Sequence, residues 1–260
     1  MGISTTVMKC KKCDLIFANP LPIPANIEQH YGIPPESYWS AEYFKIRDDY
    51  FIKQIQTFSD LYGRTNDLRA LDIGAGIGKC MIALENSGFE VWGLEPSNPF
   101  YEKALQTMKI EPSKLQLSTI ENAVYEKESF DFITFGAVLE HLYNPSEAIQ
   151  KAAYWLKPKG FIHIEVPSSN WLISRIANFV YKLQGLDYVT NISPMHSPFH
   201  LYEFGLKSFK ENAKKHHYSI AHYSYEVCTT YLPKSLNKIF VPYMRATNTG
   251  MQLEIWLTKN

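Results

Sequence analysis

Apolar residues in this chain fall into short runs separated by stretches with helical spacing, and that alternation predicts most of its elements. The run ALDI at 70–73 has the length of a buried strand; it breaks at Gly74, Gly76 and Gly78 and continues as a helix over 79–86. FEVWGLE predicts a second strand that ends at Glu95, followed by a helix over 99–108 and a third strand over 114–118. FDFITF at 130–135 is the clearest strand and ends at Gly136. Asn144 can cap a helix, and Pro145 suits its first turn. Ala148, Ala152, Trp155 and Leu156 mark one helical face, Lys159-Gly160 ends that helix, and 161–166 is a fifth strand. Upstream, the spacing of Phe44, Phe51, Ile55 and Phe58 within the aromatic segment 37–62 predicts a helix packed on the sheet. Five alternations of strand and helix predict an α/β fold with a parallel sheet covered on both faces.

Composition narrows the partners. The chain has 26 basic and 26 acidic residues, so no net field favours nucleic acid or an anionic membrane. No apolar run reaches the roughly eighteen residues that span a bilayer, and no basic-then-apolar leader opens the sequence. Four scattered cysteines suit a reducing compartment. The expectation is a cytoplasmic protein, monomer or homodimer, acting on a small molecule, with no nucleic-acid partner and no membrane span.

The glycine turn carries the chemistry. Glycines are needed where a chain turns sharply from strand to helix and lets a ligand touch its backbone. Glu95 lies about twenty residues beyond Asp72, where a nucleotide-binding fold places a carboxylate for two ribose hydroxyls. A dinucleotide site needs G-x-G-x-x-G, but counted from Gly74 its third glycine falls on Lys79. That spacing disfavours a nucleotide-cofactor oxidoreductase.

The pattern present, D-x-G-x-G-x-G, resembles motif I of the class I S-adenosylmethionine-dependent methyltransferases of the bacterial small-molecule type. SFDFITFGAVLEHLYNP followed by LKPKGFIHIEVP resembles the same enzymes, including those that methylate quinone precursors, with LKPKG in place of the usual LKPGG. HLYEFGLKSFKENAKKHHYSI resembles their helix leading to a sixth strand. The resemblance covers about residues 10–167 and the tail. It implies a Rossmann-like seven-stranded sheet, mostly parallel, with helices on both faces and an antiparallel edge formed by 218–228 and 251–258. The stretch between those two strands reads as a long basic loop.

The same resemblance implies S-adenosylmethionine as cofactor. Asp72, Gly74, Ala75, Gly76 and Gly78 would hold it at the first turn, and Glu95, Pro96 and Ser97 after the second strand. Thr119, Ile120 and Glu121 would surround the adenine, although Glu121 could equally start a helix. Gly136 and Ala137 follow the fourth strand, and Tyr38, with Tyr43 second, would close over the cofactor.

Methyl transfer from a sulfonium is an in-line displacement governed by positioning, so a base matters only when the acceptor must lose a proton. His141 is the candidate base, with Glu140 beside it; the bland alternative is a structural hydrogen bond. Residues 167–204 depart from the alternation and carry an apolar helical stretch at 171–183. They read as a substrate lid with His196, His200 and Tyr202 facing the acceptor, or else as a helical hairpin or dimer surface. The expected layout is an N-terminal Cys/Pro-rich arm at 1–36 and a methyltransferase domain at 37–260.

Within the arm, Cys10 and Cys13 form C-x-x-C, half of a tetrahedral zinc site. CKKCDLIFANP resembles the second of two knuckles that open many such methyltransferases, with Asp14 replacing glycine. Two thiolates, with His30 the one early histidine, predict reduced surface thiols on a hairpin and no resident metal. The leading function is methyl transfer to a small molecule, most naturally at a hydroxyl; the alternative is a noncatalytic S-adenosylmethionine-binding protein.

Overall fold

The glycine-bearing strand lies inside the main sheet. In the computed structural model, β3 (Leu68–Ile73) pairs in parallel with β4 (Phe89–Glu95) and β6 (Phe130–Gly136), and β4 pairs in parallel with β5 (Leu115–Leu117). With β7 (Leu156–Pro167), β9 (Tyr218–Glu226) and β10 (Gln252–Lys259) they form one sheet in the order β5-β4-β3-β6-β7-β10-β9. The sheet is mostly parallel with an antiparallel edge and carries helices on both faces, as expected from the sequence. Strand order reverses at β3 and β6, the place where open α/β sheets bind ligands beyond the strand C-termini. β3 and β6 are buried nearly throughout, which is why they read as continuous apolar runs.

The structure describes residues 4–23, 32, 34–37, 44–47, 49–194 and 199–259. His30, Tyr38, Tyr43 and His196, singled out above, lie outside them. By contacts the chain forms two units: Pro24–Gly136 with Ser146–His163 and Thr258–Asn260, and Met1–Ile23 with Ala137–Pro145 and Ile164–Leu257.

The unit built around Pro24–Gly136 holds α1 (Ile52–Tyr62), α2 (Lys79–Asn86), α3 (Asn98–Gln106) and most of α4 (Pro145–Trp155). Its core is aromatic: Phe58 is fully buried, with its ring centroid 4.9 Å from Phe132 and 5.3 Å from Phe89. The helix expected from Phe44 onward starts only at Ile52, because Phe51 takes a left-handed conformation (φ 61°). Phe44 instead lies under the Lys103 ammonium, 3.9 Å from its ring centroid. The α4 helix also ends earlier than expected. Pro158 forces the residue before it toward extended backbone and offers no N–H, so β7 already begins at Leu156.

The other unit contains a second sheet. β1 (Thr6–Lys9) and β2 (Ile16–Asn19) form the hairpin whose turn carries Cys10 and Cys13, and β2 pairs with β8 (Tyr202–Glu203). α5 (Leu172–Leu183) and α6 (Leu206–His216) follow the chain around it. The basic loop expected before β10 is a helix, α7 (Lys234–Ala246). Its apolar residues at 236, 239, 240, 243 and 244 have helical spacing, and Met244 is fully buried; Pro242 inside the helix masks that period as a breaker would.

Candidate functional site

Two clusters gather the residues singled out above. In the first, Gly74, Gly76 and Gly78 all take positive φ (73°, 56° and 85°), a region open to glycine at no steric cost. Gly78 also admits no side chain, since a Cβ there would meet Ile110 Cγ1 at 2.6 Å. The turn is tied down by its own N–H groups. Gly74 and Ala75 donate to the Leu94 carbonyl at 2.8 and 2.9 Å, and Gly78 donates to the Ala75 carbonyl at 2.8 Å. Gly76 donates to Glu95 Oε2 at 2.7 Å, while Ser97 donates to Glu95 Oε1 at 2.8 Å. Glu95 therefore clamps the glycine turn to the start of α3 and keeps further lone pairs on both oxygens.

Asp72 faces this region from β3, 4% exposed, and its Oδ2 has no hydrogen-bond partner among the described residues. Its carboxylate accepts a hydrogen bond from Cys80, a partner that the sequence reading missed because no short motif encodes it. Burial, reinforced by the nearby Glu95, pushes the Asp72 carboxyl up to about 7. Burial also brings Glu95 to about 7, against the two backbone N–H bonds that lower it. Such a site repels phosphate, and the turn's amides at 74, 75, 76 and 78 are already spent within the protein. It attracts a ligand with positive charge and hydroxyl donors. S-adenosylmethionine has a sulfonium, an ammonium and a ribose diol, and the residues present fit it.

Two predictions follow from this clamp. Unfolded carboxyls titrate near 3.9 and 4.3, so between about pH 4 and 7 the folded chain holds protons that the unfolded chain has released. That contribution to stability is present at low pH and lost as pH rises toward the folded values near 7. The unfolding temperature of the ligand-free protein should fall between about pH 4 and 7, and Asp72→Asn should make the fall shallower; calorimetric scans with equal slopes would refute the assignment. Glu95→Ala removes the acceptor of two backbone N–H groups as well as the expected ribose partner. It should weaken S-adenosylhomocysteine binding by about 1.5–3 kcal/mol, read by titration calorimetry.

The remaining expected cofactor residues sit at the ends of β4, β5 and β6. Pro96 is half-buried and Ser97 buried. Ser118 N–H donates to the Glu95 carbonyl at 3.1 Å, which sets the following turn against β4. In that turn Thr119 is half-buried and Ile120 is buried. Glu121 is exposed and starts no helix; its carbonyl accepts a bond from Lys151 Nζ at 2.7 Å. Gly136 is exposed at the end of β6, and Ala137, also exposed, takes a left-handed φ of 56°. Lys79, at the position that disfavours a dinucleotide, is buried with its ammonium 4.8 Å from the Tyr50 ring centroid.

The second cluster lies in the other unit. A short 3-10 turn, Leu139–His141, presents Glu140 and His141, and the His141 ring centroid is 5.0 Å from that of His200. Glu140 is 1% exposed, whereas both histidines are half-buried. Burial, then the like charge of Glu165, pushes the Glu140 carboxyl up to about 8. Burial pushes the His200 ring below the usual histidine range, against a hydrogen bond to the Asn191 backbone. Tyr202 donates to the Tyr143 carbonyl at 3.2 Å, and its neighbour Glu203 is buried with its carboxyl pushed up to about 8. Sequence reading set His196 or His200 over the acceptor beside His141 but passed over Asn191 and Glu203.

The fold and the acidic glycine turn define a nucleoside-binding α/β protein built for a cationic ligand. Residues 43–241 match the methyltransferase domain family, and the chain belongs to it, a family of enzymes whose cofactor is S-adenosylmethionine. The chain is 27% identical over 132 residues to a ubiquinone biosynthesis O-methyltransferase of Bradyrhizobium diazoefficiens, covering 49% of each protein. The corresponding enzyme of Bordetella avium is 24% identical over 161 residues, covering 59% of this chain and 62% of that one. The chain thus spans about half the length of the curated relatives it matches. Among solved structures, a SAM dependent methyltransferase from Archaeoglobus fulgidus matches with a TM-score of 0.55 at 16% identity, over 80% of this chain and 91% of that one. Magnesium protoporphyrin IX methyltransferase from Synechocystis, with bound SAH, matches with a TM-score of 0.57 at 13% identity, over 80% and 82%. These two share the fold. No helix among the described residues is long and apolar enough to cross a membrane.

Proposed function

We propose that this chain transfers a methyl group from S-adenosylmethionine to a hydroxyl oxygen of a small-molecule acceptor. The observation that carries the reading is the buried Asp72 and Glu95 pair around a turn of three positive-φ glycines, in a chain of the methyltransferase domain family. When bound, the cofactor supplies a methyl group already activated on a sulfonium. Asp72 and Glu95 would hold its positive charge and ribose hydroxyls, the glycine turn would let it approach the backbone, and Thr119 and Ile120 would serve the adenine. Tyr38 is carried as a proposed cover residue.

An oxygen acceptor is supported by the similarity to O-methyltransferases and by the cluster at His141. A hydroxyl must shed its proton as the new bond forms, and His141 is the proposed group that removes it. Residues 167–204 are the proposed acceptor cover. They lead through α5, whose Phe179 and Leu183 are exposed, back to His200 and Tyr202, a surface suited to a ring-bearing apolar acceptor.

The test has two arms. Titration calorimetry should give one S-adenosylhomocysteine per chain and no response to NAD; the reverse would overturn the cofactor. A screen with methyl-labelled S-adenosylmethionine against phenols, polyprenylated catechols and sugar alcohols should label an oxygen. Label appearing solely on nitrogen or carbon acceptors would refute the hydroxyl assignment.

A further inference from the structure

We propose that Glu140, His141 and His200 form a binding site for one divalent cation of the zinc type. One ligand atom from each residue lies within 4.8 Å of the other two, brought together from stretches distant in sequence. The scaffold is fastened at both ends. Leu201 N–H donates to the Glu140 carbonyl at 2.8 Å, and Ser193 and His200 exchange two bonds, Ser193 N–H to the His200 carbonyl at 3.1 Å and His200 N–H to Ser193 Oγ at 3.3 Å.

Two imidazoles and one carboxylate are the donor set of zinc sites that keep a coordination position open. Bonds of about 2.0–2.1 Å in tetrahedral geometry put ligand atoms about 3.4 Å apart. Closing the trio from 4.8 Å takes at most about 1.4 Å, within reach of side-chain rotation.

Two features single this cluster out from a chance grouping. Glu140 is 1% exposed and its Oε2 has no hydrogen-bond partner among the described residues. A buried acceptor of that kind is costly unless something positive meets it. Secondly, the His200 ring is hydrogen-bonded to the Asn191 backbone, which commits one ring nitrogen as donor and leaves the other as a lone pair. A backbone carbonyl behind a ligating histidine is the usual way to set its tautomer. Both histidines remain half-buried, so a water or an acceptor oxygen can reach the open position. There the cation would lower the pKa of a bound hydroxyl so that its proton is lost to solvent, and His141, its lone pair given to the metal, would act as ligand in place of base; that role, unlike the binding itself, rests on the methyl-transfer reading.

The test reads binding on the ligand-free chain, so its failure leaves methyl transfer untouched. After chelator treatment, zinc titrated by calorimetry should bind one per chain with a dissociation constant in the micromolar range or below. Cobalt(II) should give the visible absorption of a low-coordinate nitrogen–oxygen site. Glu140→Gln and His200→Ala should each weaken binding by about 100-fold or more. The Cys10→Ser/Cys13→Ser double variant, which removes the competing thiols, should bind as the wild type does. If His200→Ala fails to fold by circular dichroism, zinc-induced shifts of the His141 and His200 ring resonances in the wild type give the same answer. Loss of binding in the cysteine variant, no saturable binding, or unshifted histidine rings would overturn the proposal.

Discussion

Gly76→Val is expected to abolish S-adenosylhomocysteine binding in a protein that still folds. Gly76 sits at φ 56°, where a β-branched residue costs about 1–3 kcal/mol of backbone strain. Its N–H is the 2.7 Å donor to Glu95 Oε2, so relieving that strain pulls the turn off the carboxylate that fixes it. Together these should weaken binding by at least about 100-fold, or about 2.7 kcal/mol, while thermal unfolding shows a smaller loss. Gly78→Val makes the contrasting control. Its φ is 85° and its Cβ would strike Ile110, so that change should damage folding as well as binding. If Gly76→Val binds S-adenosylhomocysteine like the wild type, the turn does not contact the cofactor.

The parts of this protein legible in its sequence are those set by local rules. β3 and β6 are buried nearly throughout, so apolar runs marked them directly, and Asp72, the glycines and Glu95 follow from position along one strand–turn–helix–strand unit. Misread elements had a proline at the decisive point. Pro158 ends α4 at Trp155, earlier than the apolar face suggested, and Pro242 hides α7 inside what reads as a loop. Phe51 shows the opposite limit: a residue with good helical spacing turned left-handed and became the boundary of α1. The cluster of Glu140, His141 and His200 depends on long-range closure, as do the bond from Cys80 to Asp72 and the pairing of β2 with β8. No window of sequence contains both halves of those contacts.

His141→Ala should cut turnover on a hydroxyl acceptor by roughly 10²–10⁴-fold, the usual worth of a positioned base. S-adenosylhomocysteine affinity should barely change, because the residues proposed to hold the cofactor are Asp72, Glu95 and the glycine turn. The ring is half-buried, 5.0 Å from His200, and held in a turn next to a fully buried carboxyl, so it is placed by the fold and not free to be replaced by solvent. Two readouts separate its possible roles. If the ring itself takes the proton, the acidic limb of the pH–rate profile should vanish in the variant while zinc affinity stays as in the wild type. If it acts as a ligand, turnover and zinc affinity should fall together, and Glu140→Gln and His200→Ala should reproduce the defect. A neutral amine acceptor needs no proton removed before attack, so with such a substrate the loss should shrink if proton removal is the ring's task. Unchanged turnover on the hydroxyl acceptor would make His141 a structural residue, and the proton would then have to leave by another route.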